Sequence, residues 1–236
     1  MNNSYYETLD ENFIQALNLY EQEYSHEQLL EFLQSGNIVQ RQISVLRLEN
    51  ITSVKDAEIL VSNLTGQDGK IREAVSLRLC EFLSNSDTLQ FFKTQTNYGV
   101  FLDAIIDINP NICRNVISAI TNLKSDSDFA QKFCENLVKL TFELLDVTEK
   151  IDFREKKYKT NKSVFKLYWC LETIYEFWDC INFADLKQII LRSKEISEYT
   201  IREKTAKILS RGFSDSDLLN AVNELRSDEN YYVRRY

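Results

Sequence analysis

The chain has 236 residues, 44% of them hydrophobic and 27% charged, which suits a globular protein and argues against disorder. Only 5 Gly and 1 Pro occur, too few for the many turns of an all-β fold, so the composition favours helix nearly throughout. The net charge of −8 argues against a general affinity for nucleic acid, because phosphate binding needs a basic surface.

The pattern of helix signals predicts a series of short helices joined by short polar turns. Thr8 with Glu11, and Ser25 with Gln28, have the spacing of capping boxes at helix starts. Gly36 follows the apolar face of the second helix and is placed to end it. The predicted helices are 9–22, 26–35, 38–50, 54–64, 70–84, 87–94, 98–107, 110–123, 126–146, 162–180, 183–193, 198–211, 215–226 and one that begins at 230.

An internal repeat is visible when the second helix of each pair is aligned on its first β-branched residue. The clearest copies are IREAVSLRL from Ile71, ICRNVISAI from Ile112 and IREKTAKIL from Ile201. Weaker copies begin at Val39, Val164 and Val233, and successive intervals are 32, 41, 52, 37 and 32 residues. A period of about 32 to 50 residues is typical of helical repeat arrays.

These segments resemble the second helices of the HEAT-repeat family, which open with a polar turn and then V-R. Arg72, Arg202 and Arg234 stand at the arginine position of that motif, whereas Cys113 replaces it in the Ile112 copy. The resemblance implies that these arginines pair with acidic residues of neighbouring turns. It covers roughly residues 36–236.

The resemblance implies an all-α fold, a right-handed α-α superhelix of about five to six helix pairs that is irregular in the middle. We expect one HEAT-like repeat domain over 1–236. Within it, 1–36 would be acidic N-terminal helices, 37–149 repeats, 150–162 a basic loop and 163–236 the C-terminal repeats. The inner helices would line a concave binding surface.

Catalytic and metal sites are not predicted. The five cysteines include no C-x-x-C pair, so we expect buried reduced thiols rather than zinc ligands or disulfides: Cys80, Cys113, Cys134, Cys170 and Cys180. His26 is the single histidine and no nucleophile is evident beside it, which favours a plain surface residue over a general base. The run Gly66 to Lys70 lacks the spacing of a phosphate-binding loop. No cofactor or metal is expected.

The basic segment 150–162 is the first candidate binding site. It interrupts an acidic chain, and either a solvated loop or a contact site for an acidic partner would explain it. The residues assigned to the contact site are Arg154, Lys156, Lys157, Tyr158, Lys159 and Lys162.

The strongly apolar helix 162–180 is the second candidate. A helix that is apolar on most sides is usually central to a core. Trp169 and Trp178 would be core residues on that interpretation, or anchors for a partner if they emerge on the surface.

The absence of predicted chemistry favours a non-enzymatic protein-binding module: a scaffold, adaptor or inhibitor. The first 40 residues hold no Lys or Arg, so an immunity- or antitoxin-like inhibitor of a basic enzyme is one alternative. The other is a HEAT-like nucleic-acid-binding or DNA alkylation-repair protein using Trp178 and Asp179, which the net charge opposes.

The remaining expectations concern location and assembly. No basic-then-apolar leader opens the sequence, and no stretch approaches the roughly 20 apolar residues that a membrane span needs. We therefore expect a cytoplasmic protein whose partner is another protein rather than a membrane. A monomer is expected, although the aromatic residues Tyr231, Tyr232 and Tyr236 could cap the last turn or make a dimer contact.

Overall fold

In a computed structural model, residues 11–93, 98–151, 153 and 161–236 are described, and all regular structure in these ranges is helical. Most helix ends lie within three residues of the sequence prediction; the 87–94 helix is a single turn, and 162–180 ends in a turn of 3-10 helix at Trp178–Cys180. The helices are α1 Glu11–Glu21, α2 His26–Ser35, α3 Ile38–Arg47, α4 Val54–Ser62, α5 Gly69–Ser84, α6 Ser86–Leu89, α7 Tyr98–Ile105, α8 Pro110–Thr121, α9 Ser127–Thr148, α10 Asn161–Phe177, α11 Phe183–Ser193, α12 Tyr199–Leu209, α13 Ser216–Arg226 and α14 Tyr231–Arg234.

Helix starts are determined by local capping. The predicted box of Ser25 and Gln28 is present at α2, and similar boxes open α3 and α4. Asn109 caps α8 with Pro110 at the first helical position, where the missing N–H costs nothing. Thr8 lies outside the described residues, so the first predicted box stays a prediction.

Two glycines are required for different reasons. At Gly36 the backbone is extended, and a Cβ would stand 2.5 Å from the carbonyl oxygen of Phe32, which accepts the Gly36 N–H. Gly212 follows α12 with φ 85°, a left-handed conformation that residues with a Cβ rarely adopt. Gly36 therefore ends α2 because of close approach, and Gly212 turns the chain because of its dihedral freedom.

The chain divides into two compact units, 1–96 and 97–236. In the described part of the first unit, α2 pairs with α3 and α4 pairs with α5, while α2 packs on α4 and α3 on α5. The fully buried side chains between them include Leu33, Val45, Leu60 and Leu79. This is the arrangement expected of two stacked helix pairs.

The second unit, 97–236, contains four helix pairs in two layers. Helices α7, α9, α11 and α13 pack in succession and form the first-helix layer; α8, α10, α12 and α14 form the second-helix layer. Phe101, Phe129, Phe133 and Phe177 run through the core, with neighbouring ring centroids 5.2–5.9 Å apart. The all-α prediction is confirmed, with six helix pairs in the described part of the chain.

A donor near the start of the second helix binds the preceding loop in each unit. Arg41 donates to the Gly36 carbonyl oxygen at 2.7 Å, and Arg72 donates to that of Gln67. Arg202 donates to the carbonyls of Ile196 and Ser197, which lie six and five residues earlier, respectively.

The two remaining copies of this contact lie in α8 and α14. Arg234 donates to the carbonyls of Asp228 and Glu229. Cys113, at the position where the motif has arginine, donates its thiol to the carbonyl oxygen of Asp107 six residues earlier, at 3.1 Å. The contact is therefore retained in the Ile112 copy although its arginine is replaced.

The pairing implied by the family resemblance is confirmed for Arg202. Its guanidinium makes two hydrogen bonds to Asp228, at 2.6 and 3.2 Å, in the loop before α14. Both side chains are largely buried, and Arg202 holds the pKa of Asp228 below its ordinary value. The single-domain assignment and the handedness of a superhelix stay predictions.

Candidate functional site

The predicted basic contact site falls largely outside the described residues. The structure does not describe five of its six residues, namely Arg154, Lys156, Lys157, Tyr158 and Lys159. Lys162 is described, and it is exposed in the first turn of α10.

The two predicted tryptophan anchors lie in different environments. Trp169 is 6% exposed and therefore mainly a core residue. Trp178 is half-buried, with its ring edge-to-face against Phe213 at 5.7 Å between centroids. Neither is a fully exposed anchor.

Charge is sorted between the two layers of residues 97–236. The helices of the second-helix layer carry seven Lys or Arg and three acidic residues. Those of the first-helix layer carry five Lys or Arg and eight acidic residues. One face is therefore basic and the other acidic, although the whole chain is acidic.

Tyrosine and tryptophan are sorted in the same way. The second-helix layer contains six of them and the first-helix layer only Tyr98. The six are Tyr168, Trp169, Tyr175, Tyr199, Tyr231 and Tyr232. Tyr, Trp and Arg are the residue types that dominate binding energy at protein interfaces.

A shared carboxylate joins α10 to α12 at the centre of this face. Glu172 contacts the ammonium groups of Lys204 at 2.7 Å and Lys207 at 2.6 Å. Burial acts to raise the pKa of Glu172, but the two lysines outweigh it and lower that pKa. The carboxylate is therefore ionised at neutral pH and balances only one of two positive charges.

Aromatic rings flank this cluster on α10. The Lys204 ammonium lies 4.4 Å from the ring centroid of Tyr168, and the Lys207 ammonium lies 4.1 Å from that of Tyr175. The Arg211 guanidinium lies 3.8 Å from the Tyr175 centroid. Cation–π contacts of this kind hold the basic side chains flat against the layer and preorganise the face.

An apolar groove of about 730 Å³ opens beside the first turns of α10 and α12. Ile108, Phe165, Tyr168 and Trp169 supply its apolar lining, and Lys162 lies at its edge. Ile108 is 77% exposed, more than any other large apolar side chain in the described ranges.

The side chain of His26 has a partner that the sequence did not indicate. Its Nε2 lies 3.0 Å from Oδ2 of Asp56, on the next helix pair. The two are 30 residues apart, and no local pattern links them. His26, Arg47 and Arg78 line a cavity of about 540 Å³. The hydroxyl groups in its described lining belong to Tyr24 and to Thr52, and the Thr52 hydroxyl already donates to Asp56. A nucleophile for the general-base alternative is therefore not found there.

Asp179, proposed as a catalytic carboxylate in the DNA-repair alternative, forms an ion pair with Lys124. Burial acts to raise the pKa of Asp179, but Lys124 outweighs it and the pKa is lowered. Such a carboxylate is stabilised as a salt-bridge partner, a poor arrangement for a base that must accept a proton.

The structure buries three of the five cysteines that were expected to be buried, whereas Cys80 and Cys180 are only half-buried. All five thiols are free; Cys113, Cys134 and Cys170 are buried, and burial raises the pKa of each to about 12. The described residues contain no group of three or more His, Cys, Asp or Glu side chains that could hold a metal ion. Within the same ranges, no helix is both long and apolar enough to cross a membrane.

Comparisons with known proteins do not assign this chain to a family. No protein-family model and no curated protein matches the sequence. A solved designed armadillo repeat protein aligns over 89% of this chain and 96% of its own, with a TM-score of 0.43 and 14% identity. That likeness is too loose to distinguish a HEAT array from other helical repeats, and the helical class rests on the helix pairs described above.

Proposed function

We propose that this chain is a non-catalytic protein-binding module of the helical-repeat type, with HEAT-like repeats. We assign the binding role to the second-helix layer of residues 97–236. The observation that carries the proposal is the joint sorting of tyrosines and basic residues onto that layer. A face rich in these residues fits a partner segment that is acidic and partly apolar.

The charge pairing on this face favours a protein partner over nucleic acid. Lys204 and Lys207 share Glu172, Arg235 pairs with Glu203, and Arg202 with Asp228. The carboxylates interspersed among these cations would repel a continuous phosphate backbone, whereas a single acidic side chain can pair with the excess positive charge locally. A scaffold or adaptor role in a reducing, cytoplasmic setting, which free thiols suit, is part of the proposal.

The inhibitor alternative rests on a different surface. Glu21, Glu23, Glu27 and Glu31 are exposed near α1 and α2, and no Lys or Arg precedes Arg41. An inhibitor of a basic enzyme would bind there, and its association rate would fall steeply with added salt.

Site-specific photo-crosslinking distinguishes these surfaces. A benzophenone amino acid is introduced at exposed positions Ser118 or Ser210 of the second-helix layer, and at Gln131 or Asn220 of the first-helix layer. After irradiation in nuclease-treated lysate of the source cell, we expect one protein adduct from Ser118 and Ser210 and none from the control pair.

Equal crosslinking from Gln131 and Asn220 would contradict the assigned face. A benzophenone at exposed Glu27 tests the inhibitor alternative in the same lysate. A parallel sample without nuclease tests for nucleic acid: adducts that form there but not in the nuclease-treated lysate would point to nucleic acid instead.

A further inference from the structure

The groove beside α10 and α12 has the shape of a site for a short ligand segment. Its volume of about 730 Å³ lies within the roughly 300–1,000 Å³ of pockets that enclose small ligands. Ile108 and the rings of Phe165 and Tyr168 give it apolar walls. A space of this size fits a few side chains of an extended peptide rather than a folded surface.

An exposed isoleucine at the mouth of this groove is unexplained by folding. Ile108 lies in the loop before α8, and at 77% exposure it contributes little to the core. Single exposed apolar residues are common on proteins, but this one adjoins further apolar area from Phe165 and Tyr168. Covering that combined surface with an apolar ligand side chain would be favourable at roughly 25 cal/mol per Å².

One residue of the lining, Trp169, carries a buried donor without an acceptor in the described part of the chain. The indole Nε1 of Trp169 is buried and has no hydrogen-bond partner among the described residues. An unsatisfied buried donor costs on the order of 1–3 kcal/mol, so it is normally paired. A ligand backbone carbonyl or carboxylate oxygen would supply that acceptor if binding shifts the neighbouring rings to admit it.

The electrostatics of the groove select the sign of the ligand. Two charged residues line it, Lys162 in the first turn of α10 and Glu198 at the N-cap of α12. The positive end of the α12 dipole offsets the carboxylate of Glu198, which accepts a hydrogen bond from the Thr200 N–H. The positive end of α10 adds to the charge of Lys162, and the groove as a whole therefore favours an anionic group.

We infer that this groove binds an extended peptide segment of the partner in which a large apolar side chain lies next to Asp or Glu. The apolar side chain packs between Ile108 and Phe165, and the carboxylate pairs with Lys162. This inference rests on the proposed function, since it specifies which part of the second-helix layer binds the partner.

The test begins with a library of random peptides displayed on phage and selected against the full chain. Affinity of the enriched peptides is then measured for the wild type, Ile108→Asp, Lys162→Glu and the control Val147→Asp. Val147 is a matched control because it is also an exposed β-branched residue, 51% exposed, but on α9 of the first-helix layer.

The expected result is enrichment of peptides that combine a large apolar residue with Asp or Glu. Ile108→Asp and Lys162→Glu should each weaken binding by about tenfold or more, and Val147→Asp by less than about twofold. Binding should also change the emission of Trp169 in Trp178→Phe, which leaves Trp169 as the single tryptophan.

Several outcomes would overturn the inference: enriched peptides that are basic, binding that Ile108→Asp leaves unchanged, no enrichment at all, or displacement of the peptides by a single-stranded oligonucleotide. If crosslinking from Ser118 and Ser210 still captured a protein, the proposed function would stand and only the groove assignment would fail.

Discussion

Asp56 shows how much a single buried side chain can connect. Its carboxylate accepts hydrogen bonds from the backbone N–H and the hydroxyl of both Thr52 and Ser53, and it contacts His26 of the preceding helix pair. Burial acts to raise the pKa of Asp56, but these hydrogen bonds outweigh it and hold the pKa far below its ordinary value of 3.8. The group is therefore a capping residue and a contact between helix pairs at once.

Replacing this carboxylate should lower stability in a pH-dependent way. We expect Asp56→Asn to reduce the free energy of unfolding at pH 7 by about 2 kcal/mol, because charge-assisted hydrogen bonds to buried groups are lost. The folded-state pKa of Asp56 is lowered, so its contribution is complete above about pH 4 and declines as the pH falls below that value.

The measurement is urea unfolding of wild type and variant at several pH values between 7 and 3. The difference between the two should shrink on acidification. Asp87→Asn in α6, an exposed first-turn carboxylate, is a control expected to change stability by less than about 0.5 kcal/mol. A constant difference down to pH 3 would show that the charge of Asp56 is not the stabilising feature.

At the scale of helices, the arginine at the start of α12 connects two successive helix pairs. Arg202 bonds two loop carbonyls behind it and the carboxylate of Asp228 ahead of it, and only 12% of its side chain is exposed. The ion pair thus connects the loop before α12 with the loop before α14.

Breaking this pair should be costly. We expect Arg202→Met to destabilise the protein by about 3 kcal/mol, since it leaves the Asp228 carboxylate buried without its partner. Asp228→Asn and the double variant complete a cycle whose coupling energy should reach about 2 kcal/mol. Lys132→Met, which removes the exposed pair of Lys132 with Asp128, should change stability by less than about 1 kcal/mol. Equal effects of Arg202→Met and Lys132→Met would refute the special role of the buried arginine.

Element positions could be predicted from sequence because their signals are local. Ser25 with Gln28, Asn109 with Pro110, and Gly36 each determine a helix end through contacts within a few residues. The pairing of His26 with Asp56, and of Glu172 with Lys204 and Lys207, joins residues 30 or more positions apart. Such contacts depend on how helix pairs stack, which no local spacing encodes.

The candidate binding face was predictable only in part. Trp169 and Trp178 were identified by their residue type, yet Trp169 belongs mainly to the core. The sorting of Tyr and Lys onto one layer becomes visible only when alternate helices are known to share a face. The groove at Ile108 combines a loop residue with two helix starts. The sequence alone does not indicate that this isoleucine is exposed.

At the scale of the whole molecule, residues 97–236 possess a continuous core of their own. Their four helix pairs pack in succession, with the phenylalanine run from Phe101 to Phe177 in the first two pairs, and both tryptophans lie in this part of the chain. Repeat arrays derive their stability from such neighbouring pairs rather than from distant contacts.

We therefore expect residues 97–236 to fold when expressed alone. Their tryptophan emission maximum should equal that of the full chain, because Trp169 is buried and Trp178 half-buried within this unit. Fluorescence and far-ultraviolet circular dichroism measured during urea titration provide the check. Emission at the wavelength of a solvent-exposed indole, or a broad non-cooperative loss of helix, would contradict the prediction.

The thiol of Cys113 has a consequence for how such repeats can be recognised. The loop before α8 requires a hydrogen-bond donor at the Asp107 carbonyl, and a cysteine satisfies it where other copies use arginine. A motif that requires arginine at this position therefore misses the α8 copy, whereas the hydrogen bond from the second helix to the preceding loop identifies it. In this chain, the contact that a side chain makes marks a repeat more completely than the residue type that makes it.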